Sequence, residues 1–123
     1  VGMIDFQDIL VGPDTYDAVS LMEERAMPAL LEPFQSSAWQ EEWARECHVQ
    51  AGWHHRWPLV QVQRGLKVLG TFARLVASGR QQYIAWTEEL VSSLQAPLQS
   101  VDAPSELLDC LLNWCESGGP YVR

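Results

Sequence analysis

The stretch Pro58–Ser78, PLVQVQRGLKVLGTFARLVAS, constrains the fold more than any other part of the chain. Val62, Leu66, Leu69, Phe72, Ala73 and Val76 recur at spacings of three and four, which lays them along one wide helix face. Val68 and Leu75 fall elsewhere on the same circumference, so this helix is apolar on most sides. Such a helix stays in water only if others cover it. Pro58 suits its first turn and Gly79 its stop. A chain built around it is predicted to be mainly α.

The flanking segments supply the cover. Gly12-Pro13 is a turn signal, after which Asp14 can cap a helix and Asp17 adds favourable charge to its first turn. Ala18, Leu21, Met22 and Arg25 share a face of that helix, and Pro28 stops it. Ser37-Ala-Trp-Gln40 reads as a capping box. Trp39, Trp43, Cys47 and Ala51 then recur every four residues up to Gly52. A further helix is expected over 82–96, with Ile84, Leu90, Val91 and Leu94 as core and Pro97 as its break. After a loop over 99–104, Asp102 or Ser105 caps a last helix carrying Leu107, Leu108, Leu111, Leu112 and Cys115. Gly2–Phe6 reads as one short strand at the N-terminus. A lone strand leaves its backbone groups unpaired. Its partner is therefore expected outside this sequence or in a second copy, and the start at Val1 rather than methionine points the same way.

With 123 residues, the chain is expected to form a single helical unit over 1–123. Sixteen acidic residues against eight basic ones give a net charge of −8, which disfavours nucleic acid and anionic membranes as partners. No apolar run approaches the roughly 20 residues a membrane span needs, and no secretory-type leader is visible. Cys47, Cys110 and Cys115 are odd in number and irregularly spaced, which predicts reduced, buried thiols in a cytoplasmic protein.

Two segments carry a resemblance. GMIDFQD followed by VGPDTYDAVSL, and QRGLKVLGTFARL over Gln63–Leu75, resemble the aminoglycoside phosphotransferase and choline kinase-like family. They look most like its bacterial kinases that phosphorylate N-acetylmuramate and N-acetylglucosamine at the anomeric position. The resemblance implies a protein-kinase-like fold, of which this chain is part of the helical C-terminal lobe. It implies that Asp5 binds magnesium that accompanies ATP, with Asp8 a second ligand or a helper. Magnesium takes hard oxygen ligands, commonly one or two carboxylates plus nucleotide phosphates. Asp17 matches the helix-start aspartate that supports the catalytic loop. Glu23-Glu24 stands where this group tends to carry Arg-Asp, reversing charge near the expected substrate side. The family's catalytic base and most of its ATP site lie ahead of the segment seen here. No catalytic residue is therefore assigned to this chain, and it is expected to be inactive alone. The rival expectation is a stand-alone helical interaction module derived from a truncated kinase, pairing as a homodimer through exposed apolar surface.

Plainer readings compete at each remaining feature. Arg64 and Lys67, with Arg74, form a basic ridge that can line a substrate cleft; pairing with nearby acids along apolar surface weighs more. Cys47-His48 and His54-His55 match no standard zinc spacing. Trp39, Trp43, Trp53 and Trp57 can stack on a sugar, but core packing explains them more simply.

Overall fold

In a computed structural model of the chain, the structure describes residues 11–24, 27–30 and 33–116. Six helices form among the described residues and no strand: α1 (Tyr16–Met22), α2 (Met27–Leu30), α3 (Pro33–Glu46), α4 (Trp53–Ala77), α5 (Tyr83–Ser100) and α6 (Ser105–Glu116). The strand expected over Gly2–Phe6 lies outside the described residues.

The apolar stretch that dominates the sequence becomes the spine. α4 runs 25 residues, with α1 and α5 against it and α6 against α5. Two cores sit along its length. At its start, Ala18 and Val19 of α1 meet Ala44 of α3 and Trp53, Trp57 and Val60 of α4. Trp57 is the aromatic centre: its ring lies 5.7 Å from Trp43 and 5.8 Å from Trp53, both edge-on, the arrangement aromatic quadrupoles favour. Trp53 and Trp57 are buried, so the tryptophans act as core, as the plainer reading held. Further along, Leu69 packs with Val91, Leu94 and Leu98 of α5 and Leu111 of α6. Gly65 lets α4 and α5 close up. A Cβ there would sit 3.0 Å from Leu94 Cδ1 and 3.1 Å from its Cγ.

Three helices end in the same way. His48, Gly79 and Asp102 adopt left-handed φ values of 52°, 92° and 50°. The next residue's N–H then reaches back five positions: Val49 to Ala44 O, Arg80 to Leu75 O, Ala103 to Leu98 O, at 3.0–3.1 Å. This closing pattern satisfies the last carbonyls of each helix.

The elements depart from expectation at several points, each for a physical reason. Asp14 does not cap α1. Thr15 occupies the cap position without a side-chain bond, and Asp14 is held by Arg56. α1 ends at Met22 rather than at Pro28, Ala18 is buried as expected, and Val19 is buried beside it while Leu21 is half exposed. Arg25 lies outside the described residues. Ser37 is no cap, because α3 begins at Pro33, a residue suited to a first turn. α3 stops at Glu46, so Cys47 and Ala51 leave the stripe. α4 starts a turn early, at Trp53, since two tryptophans anchor that turn in the core. α5 continues through Pro97 to Ser100. The interior proline costs about 3 kcal/mol, and Leu94 and Leu98, both almost fully buried, hold the helix on either side of it. Cys47 and Cys110 are exposed free thiols, not buried ones.

Candidate functional site

The residues nominated from sequence fall in three places. Asp5 and Asp8, expected to hold magnesium, lie outside the described residues. Among the described residues no group of three His, Cys, Asp or Glu side chains converges as a cation site. Asp17 stands exposed in the first turn of α1, where a carboxylate favours the helix dipole.

The basic ridge divides. Arg64 is half-buried and turns toward α1: its Nε donates to Ser20 Oγ at 2.9 Å and its Nη2 to the Ser20 carbonyl at 3.3 Å. Its partner is thus a serine rather than an acid. Lys67 and Arg74 are exposed.

Arg64 lies on the wall of a cavity of about 430 Å³, while Lys67 is not among its lining residues. The cavity opens where the end of α1 meets α4 and α5. Glu23 and Glu24 bound it from just past the end of α1, Gln61 and Arg64 from α4, and Trp86 and Glu89 from α5. Gln61 Nε2 donates to Glu23 Oε1 at 2.6 Å, which fixes that carboxylate beside α4. The apolar part is aromatic. Phe72, also lining, has its ring 5.9 Å from Trp86, and Trp86 meets Tyr83 edge-on at 4.6 Å. Gly65, on the same wall, draws the two helices together at its floor. The volume suits a molecule of monosaccharide to drug size, and apolar walls with a few polar groups are the usual makeup of such sites.

Sequence reasoning found Arg64 and missed Gln61, Trp86 and Glu89. The signal for the last two was present, because Trp86 and Glu89 are three apart on one helix and share a face. Nothing in the sequence tied that face to Glu23.

Comparison with known proteins finds a similarity in sequence to a sugar kinase. The chain is 36% identical over 90 residues to the N-acetylmuramate/N-acetylglucosamine kinase of Pseudomonas putida (strain KT2440). The match takes in 68% of this chain and 26% of that kinase, so the chain spans about a quarter of its relative's length. The similarity marks the chain as kinase-related. No family model matches it, and no solved structure matches it. No helix among the described residues is long and apolar enough to cross a membrane.

Proposed function

We propose that this chain is the helical C-terminal part of an ATP-dependent small-molecule phosphotransferase of the cytoplasm. The complete enzyme moves the γ-phosphoryl of ATP to a hydroxyl of an amino sugar or an aminoglycoside-like molecule. The similarity over 90 residues to the Pseudomonas putida kinase is the observation that carries this reading. The resemblance in Gly2–Leu21 and Gln63–Leu75 supports it, and so does the cavity beside α1, α4 and α5. Asp5 is assigned to magnesium and Asp8 to its assistance. Bound magnesium-ATP supplies the phosphoryl group and neutralises its charge. Asp17 braces the catalytic loop from the start of α1. Arg64 and Lys67 are assigned to the substrate side, Arg64 on the cavity wall.

The catalytic base and most of the ATP site belong to residues ahead of this segment, so the chain alone transfers nothing. The test has two arms. The purified chain, given labelled ATP, magnesium and N-acetylglucosamine, is expected to form no sugar phosphate. The reading frame ahead of the Val1 codon is expected to encode His-x-Asp followed by Asn. Turnover by the chain alone, or a start codon directly ahead of Val1, contradicts the proposal.

Leu21, Leu30 and Leu59, each more than half exposed, favour a second reading: a helical interaction module that self-associates. Sedimentation decides that point. A concentration-independent monomer removes it.

A further inference from the structure

We propose that His54 is a pH-sensitive latch between α3 and α4. Protonated, its imidazolium closes on Glu41 of α3 while it stays stacked on the indole of Trp53; neutral, it lets Glu41 go. The inference stands apart from the kinase reading and survives or fails without it.

Two contacts place the ring. His54 follows Trp53 in the first turn of α4, and the two rings stack with centroids 3.7 Å apart and planes 29° apart. Trp53 is buried and His54 exposed, so the imidazole covers a core indole from the solvent side. From α3, Glu41 Oε1 lies 3.8 Å from His54 Nε2. That is about an ångström longer than a charge-assisted hydrogen bond. The pair is near enough to close when charge draws it together. Among the described residues, no other polar side-chain contact joins α3 to a second helix. The rest of its docking is apolar, with Trp39, Trp43 and Ala44 in one core with Trp53 and Trp57.

Charge decides the state of the pair. Imidazole is the side chain whose ordinary titration falls between about pH 5 and 8, where a carboxylate stays ionised. Below that range both ring nitrogens carry a proton, and the cation meets Glu41 and the electron-rich face of Trp53. Above it the attraction to Glu41 is gone. The other ionisable groups around this turn do not replace Glu41. On α3, Arg45 pairs with Glu42 and Glu46. Ahead of α1, Asp14 is held by Arg56 of α4. Tyr16 and Asp17 belong to the first turn of α1, Cys47 and His48 to the turn after α3, and His55 follows His54. Among the described residues, only Glu41 brings a carboxylate oxygen within 4.0 Å of the His54 ring. The dipole of α4 opposes a cation in its first turn, but does so with or without Glu41. Both side chains of the pair are more than half exposed, which keeps the latch weak and reversible.

The test is hydrogen exchange of the α3 amides from Trp39 to Ala44 in the 123-residue chain, in wild type, E41Q, H54Q and E41Q/H54Q. Comparing variants at one pH removes the intrinsic pH dependence of exchange. At about pH 5.5 these amides are expected to exchange about two- to fivefold more slowly in wild type than in E41Q, the size of effect an exposed ion pair has on local opening. At about pH 8 the two should match, because the imidazole has lost its charge. In the H54Q background, where no charge can appear, E41Q should change nothing at either pH. No slowing at about pH 5.5 overturns the proposal. So does an E41Q effect that persists at about pH 8, or one that survives in H54Q. A chain whose α3 amides show no protection at either pH has no docked α3 to latch, and that result overturns it too.

Discussion

Arg56 grips Asp14 across 42 residues of sequence: Nε donates to Oδ1 at 2.9 Å and Nη2 to Oδ2 at 2.8 Å. The same guanidinium donates to the carbonyls of Gln50, at 2.9 Å, and Ala51, at 3.0 Å. One side chain thus ties the approach to α1, the turn after α3 and the first part of α4. Its fork matches the carboxylate in a way an ammonium cannot. R56K is expected to lower the melting temperature more than an exposed Arg-to-Lys change elsewhere, for example at Arg74. Equal shifts for the two contradict the clip.

The clip also predicts a pH dependence. The hydrogen bond from Arg56, reinforced by its charge, holds the Asp14 carboxyl below the usual carboxylate range. A carboxyl lowered by folding stabilises fully above its unfolded value of about 4, and that stability drains away as pH falls through the lowered folded value. D14N should therefore melt below the wild type at pH 7, with the difference shrinking toward pH 2. Thermal melts across that range check it, and a constant difference contradicts it.

Two glycines on α4 should respond oppositely to alanine. At Gly70 nothing lies within 4 Å of an added Cβ, so G70A should stabilise by about 0.5–1 kcal/mol through helix propensity. At Gly65 the Cβ meets buried Leu94, and overpacking of about 1–3 kcal/mol outweighs that gain. Denaturant melts of G65A and G70A should move in opposite directions. The same sign for both removes the close approach of α4 and α5.

The shared helix ending yields another expectation. His48 and Asp102 are exposed and hold the left-handed conformation that Gly79 holds without strain. H48G and D102G should each stabilise by about 0.5–1 kcal/mol, because a Cβ in that conformation costs about 1–2 kcal/mol and glycine's extra chain entropy offsets part of the gain. Loss of stability in both would mean the side chains hold the turns.

Much of the helical order was legible because burial imposes a period. Val62 to Val76 recurs in threes and fours, and α4 covers that whole stretch although it begins earlier, at Trp53; Val91, Leu94 and Leu111 likewise went inward. The failures came where local chemistry argued against tertiary burial. Pro97 and the Ser37 box are strong local signals, but Leu98 and the tryptophan core decide where α5 and α3 run. The cavity was legible only at Arg64 and Glu23-Glu24. Its other polar walls come from helices whose meeting depends on Gly65, which in sequence reads merely as a weak point in a helix.

The most direct test of the account is phosphoryl transfer by a hybrid, in which the matched 68% of this chain replaces its counterpart in the Pseudomonas putida kinase. The account predicts a folded hybrid that makes sugar phosphate from ATP within about tenfold of the parent rate, and a loss of at least about a hundredfold when the carboxylate at the Asp5 position becomes an amide. A folded hybrid that transfers no phosphate, or one indifferent to that amide, contradicts it.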